Sequence, residues 1–69
     1  MGYRVGDDMI EIECTIEHTT EKAWLVIDLM SGKEGWAPKS RCEIIRERDE
    51  DGHVLMHVPE WWAKKQGFI

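Results

Sequence analysis

Long apolar runs are missing from this sequence. No stretch approaches the roughly 18 residues that a membrane span needs, and Met-Gly-Tyr-Arg-Val-Gly-Asp-Asp-Met-Ile at the start holds neither an apolar leader core nor a cleavage site. Gly2 is followed by Tyr3-Arg4-Val5-Gly6 without the Ser or Thr that an N-myristoylation signal places at the sixth position. Cysteine is sparse: Cys14 and Cys42 can form one bridge at most, whereas a small secreted domain usually carries two or more. The expectation is a cytoplasmic protein with reduced, structural thiols. A phosphate-cradling glycine loop is also absent, since Gly32 and Gly35 stand outside any Gly-Lys-Ser/Thr context. Basic residues are outnumbered, 9 against 14 acidic ones for a net charge of −5. That balance disfavours nucleic acid or an anionic membrane as a direct partner and suits a protein with a basic surface.

What is present fits a single domain spanning residues 1–69. Its 69 residues weigh 8.1 kDa, and a chain this short buries only about 60% of its unfolded surface, so the core is thin and a deep cofactor cleft is excluded. With 42% hydrophobic and 33% charged residues and four tryptophans, the composition is that of a folded domain.

Alternation is clearest at residues 10–18, where Ile10, Ile12, Cys14 and Ile16 share one face and Glu11, Glu13, Thr15 and Glu17 the other; this is the period of a half-buried strand. Residues 22–30 are almost continuously apolar and read as a second strand buried partly on both faces. Ser31 to Gly35 is hairpin-tip chemistry, and a short third strand at 34–38 stops at Pro38, which cannot donate to a ladder. Lys39 to Cys42 fits a tight or 3₁₀ turn. Asp51-Gly52 closes a hairpin between strands at 43–48 and 53–58, with Val54, Met56 and Val58 inward and His53, Leu55 and His57 half-exposed. A helix at 59–66 follows, with Pro59 and Glu60 at its start, Lys64 and Lys65 in its last turn and Gly67 as its C-terminal cap, after which Phe68 and Ile69 can fold back. The expected fold is mainly β (α+β): a small five-stranded antiparallel barrel or curled sheet with a short C-terminal helix.

Gly35-Trp36-Ala37-Pro38, with Ser40 and Ile44, resembles the Gly-Trp-x-Pro-Ser-Asn-Tyr-Val segment of SH3 domains, with Lys39 inserted and Arg41-Cys42 in place of Asn-Tyr. The resemblance implies an SH3-like barrel. Pro38 is the one residue that maps onto a peptide-contact position of that family, and the tyrosines that line its groove have no counterpart here. A second likeness covers about half of the chain. Trp36-Ala37-Pro38-Lys39-Ser40 and Val58-Pro59-Glu60-Trp61-Trp62-Ala63 are similar to small phage- and prophage-encoded proteins with Trp-x-Pro-Lys-Ser and Pro-Glu-Trp-x-Ala motifs. That likeness implies a viral protein acting on a host factor.

Chemical motifs are weak by comparison. His53, His57, Cys14 and Cys42 are metal-binding side-chain types, yet residues four apart in a strand lie about 13 Å apart, too far to share an ion bound at about 2 Å. No metal and no cofactor is expected. Cys14 alternates with core isoleucines beside Glu13. Cys42, next to Arg41 in a turn, is the better nucleophile candidate but has no evident base. Carboxylates abound, but without a deep pocket none is marked as acid or base. The chain is therefore read as non-enzymatic, with a small enzyme or redox protein using Cys42 as an alternative.

The acidic segment is more informative. Residues 5–21 carry six carboxylates (7, 8, 11, 13, 17 and 21) and no Lys or Arg, so against a total of −5 the remainder sums to +1. Glu11, Glu13 and Glu17 share a strand face on which next-neighbour positions lie about 6.7 Å apart, a spacing compatible with backbone phosphates. Two readings follow: a nucleic-acid mimic aimed at a basic groove, or an edge strand kept soluble and unpaired by charge. Trp24 and Trp36 are expected in the core. Trp61 and Trp62 lie about 100° apart around a helix, so one of them should be exposed and able to anchor an interface. The partner-binding candidates are thus Glu11, Glu13, Glu17, Trp61 and Trp62. The functional expectation is an interaction module that inhibits or modulates a host nucleic-acid-handling complex, with anti-CRISPR inhibition its most specific form. The alternatives are a structural or assembly role through homodimerisation by a strand edge or the tryptophan helix, and a peptide-binding SH3-like adaptor.

Overall fold

Strict alternation produces the strand on which the rest is assembled. A computed structural model describes residues 3–47 and 49–69, without the side chain of Tyr3. Its elements are β1 (Tyr3–Arg4), β2 (Met9–Thr19), β3 (Ala23–Asp28), β4 (Glu34–Pro38), β5 (Glu43–Arg46), β6 (Val54–Pro59) and α1 (Glu60–Gln66). In β2, Ile10, Ile12 and Cys14 are buried while Glu11 and Glu13 lie on the opposite face. The strand serves two partners in succession. Its first half, Met9 to Cys14, runs antiparallel to β6, and its second half, Cys14 to Thr19, antiparallel to β3. Cys14 is the pivot, opposite both Val54 and Asp28. Beyond it the register slips between Ile16 and His18, leaving Glu17 as an extra residue of the kind that sharpens strand twist.

The five main strands form one antiparallel sheet in the order β4-β3-β2-β6-β5, with β1 on the first half of β2. The sheet is open, with β4 and β5 at its edges, so of the two expected shapes it is the curled sheet rather than the closed barrel. Strand β1 is additional to the expected set; two residues offer no periodicity to read. The core joins Ile10, Ile12 and Cys14 to Val26, Ala37, Cys42, Val54, Met56, Val58, Trp62, Ala63 and Phe68.

Three expectations need correcting. The strand expected at 22–30 ends at Asp28, and Leu29 and Met30 are exposed in the turn. Asp28 causes this stop: its carbonyl accepts the Gly32 N–H at 2.8 Å and its buried carboxylate accepts the Ser31 N–H at 2.9 Å, so the chain folds back on an aspartate-centred turn. Gly35 lies buried in β4, within the bounds expected for the third strand. Trp36, expected in the core, is 47% exposed. Gly35 and Ala37 take the inward positions of β4, beside α1: a Cβ on Gly35 would lie 2.6 Å from Oε1 at the end of the Gln66 side chain. Alternation then turns Trp36 outward. The expected strand at 43–48 ends at Arg46, and Arg48 lies outside the described residues.

Hydrogen bonding explains how the β4 edge is finished. The Lys33 carbonyl accepts the Asp28 N–H at the end of β3, and the Lys39 N–H donates to the carbonyl of Lys22 just before it; by the alternation of an antiparallel ladder, the backbone groups of Trp36 and Pro38 then face away from β3. The Trp36 carbonyl accepts the indole N–H of Trp62 at 3.1 Å. Pro38 has no N–H, and its carbonyl accepts both Arg41 and Cys42 at 3.0 Å in the turn that follows. Two outward carbonyls of this edge are thereby taken, which disfavours an added strand there.

Helix α1 starts after Pro59, the Glu60 N–H being taken by the Asp8 carbonyl at 2.8 Å. The Glu60 carboxylate meets the Arg4 guanidinium and lies 3.8 Å from Lys64 Nζ. Gly67 caps the helix at φ 81°, and Phe68 folds back with its N–H on Ala63 O and its ring edge-on to Trp62, 5.2 Å between centroids.

Candidate interaction surface

The acidic row lies on one face of β2 and is met there by histidines. Register places His57 of β6 opposite Glu11, and His57 Nε2 lies 3.1 Å from Glu11 Oε1, donating to it in the tautomer that carries the proton there. Glu13 stands opposite Leu55, and its Oε2 lies 3.8 Å from His53 Nδ1. Glu17, exposed in the bulge, accepts the Thr15 hydroxyl at 3.0 Å. Among the described residues, the ion pairs to this row come from histidine, while the Arg4 and Lys64 pairs go to Glu60. A histidine cancels a carboxylate only when protonated, so with neutral imidazoles the face keeps its negative charge.

The sequence signal for this Glu–His pairing was split between two strands. The half-exposed positions of His53, Leu55 and His57 are legible from alternation and agree with the structure, as are the buried Val54, Met56 and Val58. Their placement beside Glu11 and Glu13 required knowing that β6 pairs with β2.

The two helix tryptophans divide as their angular separation requires. Trp62 is 4% exposed and belongs to the core, so of the two proposed anchors only Trp61, 55% exposed, is available to a partner. Trp36 adds a second exposed ring, edge-on to His18 at 6.3 Å. Trp24 is half-buried under Lys39, whose ammonium lies 5.3 Å from its ring centroid. Next to it, Glu21, Lys22, Pro38, Lys39 and Ser40 line a cleft of about 500 Å³, which therefore contains the one position carried over from the SH3 likeness.

Neither cysteine is set up as a nucleophile. Burial, reinforced by the Asp28 carboxylate, pushes the Cys14 thiol up to about 12, and burial pushes Cys42 up to about 11. Both are free and buried, and both stay protonated at neutral pH, the reverse of what thiolate chemistry requires. No protein-family model, curated protein or solved structure matches the chain.

Proposed function

We propose that this protein is a non-enzymatic interaction module whose acidic β2 face docks on a basic protein surface. The carrying observation is the Glu11, Glu13, Glu17 row, three carboxylates on one side of a rigid strand with no Lys or Arg ion pair among the described residues. Preorganised charge of one sign steers a complementary partner and sets register on it. Trp61 supplies an exposed aromatic ring of the kind that anchors interfaces once desolvated. The similarity of residues 36–40 and 58–63 to phage-encoded proteins extends the proposal to a viral inhibitor of a host nucleic-acid-handling complex, acting in the host cytoplasm, with anti-CRISPR inhibition its most specific form. The SH3-like character of the fold belongs to the same proposal, motivated by Gly35-Trp36-Ala37-Pro38 and the turn after it. No helix among the described residues is long and apolar enough to cross a membrane.

The test is affinity capture from bacterial lysate with the native chain, a Glu11→Lys/Glu13→Lys/Glu17→Lys variant and Trp61→Ala. A basic nucleic-acid-binding protein retained by the native chain, displaced by added DNA or RNA and lost with the charge-reversed variant supports the reading. Equal retention by the native and charge-reversed chains overturns the mimic. A second reading, self-association, is favoured by the exposed Trp36, Ile45 and Trp61. Sedimentation over a range of concentrations separates the two, since inhibition of a host protein does not require a dimer.

A further inference from the structure

We propose that Glu13, Asp49 and His53 form a surface binding site for a divalent transition-metal ion, with zinc the best match. One ligand atom from each lies within 4.8 Å of the others, and the His53 Nδ1 to Glu13 Oε2 separation is 3.8 Å. Donors at about 2.0–2.2 Å from zinc stand roughly 3.4 Å apart in a tetrahedron. A side-chain adjustment of a few tenths of an ångström therefore brings the His53–Glu13 pair to ligating distance. The three residues come from two separate segments, Glu13 from β2 and the other two from the loop between β5 and β6, so an ion there ties the hairpin to the central strand.

The chemistry of the donors narrows the ion. One imidazole nitrogen and two carboxylates suit zinc and its transition-metal neighbours, whereas calcium and magnesium favour oxygen-only shells. The imidazole sets this group apart from a simple acidic cluster, because it gives the site a selectivity that charge alone lacks. Asp49 is held ready: its Oδ1 accepts the His53 N–H at 3.0 Å and the Asp51 N–H at 2.9 Å. Those bonds fix its orientation and leave its second oxygen for a ligand. All three residues reach solvent, which supplies the remaining coordination positions as water. His57 is committed to Glu11 and belongs to a separate pair.

The site stands independently of the docking proposal, since it requires no protein partner. Calorimetric titration of the full chain with zinc chloride, alongside magnesium and calcium chlorides, tests it, with amide chemical shifts locating the ion. The expected result is one zinc per chain, shift changes centred on residues 13, 49 and 53, and weaker binding at acid pH because the imidazole must be neutral. His53→Ala and Glu13→Gln should each lower the affinity by at least about tenfold, since even outer-shell changes cost that much, while His57→Ala leaves it unchanged. Glu13→Gln keeps the test valid should His53→Ala fail to fold. Absence of zinc binding, equal binding of magnesium or calcium, undiminished affinity in folded His53→Ala or Glu13→Gln, or an equal loss in His57→Ala overturns the proposal.

Discussion

Single side chains already set limits on the conditions under which this protein stays folded. Cys14 and Cys42 have folded values of about 12 and 11 against an ordinary 9.0, so folding favours their protonated forms. That contribution is complete below about pH 9 and is lost as pH rises through the folded values. Urea midpoints should accordingly fall between about pH 9 and 12, and fall less steeply in Cys14→Ala, which removes the larger shift; parallel profiles for the two proteins would show that the decline comes from other groups. The glycines make a second contrast. Gly67 sits at φ 81°, where an alanine is strained by about 1–2 kcal/mol, while at Gly35 the obstructing atom is the swinging end of Gln66. Thermal unfolding should rank Gly67→Ala as the more damaging of the two. Trp36 marks the limit of reading such positions from the chain. A tryptophan between glycine and alanine looks like core, yet the inward positions fall to its small neighbours, beside a helix some 30 residues away in sequence, which no local pattern records.

Elements were legible where periodicity was long and local. The 11 residues of β2, the inward and outward sets of β6 and the capped helix all follow from spacing and end signals. Strand β1, at two residues, is too short to carry a signal. The overshoot past Asp28 arose because Leu29 and Met30 extend an apolar run whose end is set by an aspartate-centred turn. In the candidate site the acidic row was legible but its histidine partners were not, because strand pairing order is a long-range property. At this scale the joint between α1 and β4 invites a direct trial. Trp62→Phe keeps a ring against Phe68 but removes the N–H that the Trp36 carbonyl accepts. The expected cost is about 1 kcal/mol, accompanied by stronger self-association in sedimentation as the β4 edge becomes available. An unchanged monomer would show that the indole does not guard that edge.

For the molecule as a whole, the charge is polarised rather than merely negative: residues 5–21 hold six carboxylates against a total of −5. Binding driven by that segment should weaken steeply with salt, because exposed charges are screened over about 8–10 Å near physiological ionic strength. Association rates measured from low to high salt should therefore fall for the native chain and stay nearly flat for the Glu11, Glu13, Glu17 variant; identical slopes would remove the steering role of the face. Trp61→Ala, at an exposed position, should shift stability by no more than about 0.5 kcal/mol while slowing nothing at encounter, its effect falling on dissociation instead. The joint between Trp62 and Trp36 also has a consequence in time. Residues 9–38 form a continuous meander that can pair as soon as it leaves the ribosome, yet β2 still awaits β6 on one side and β4 still awaits Trp62 on the other. Until residues 54–62 dock, both flanks of that sheet are bare. How fast residues 54–62 close those flanks, as much as the stability of the finished fold, then governs how often two unfinished chains meet edge to edge.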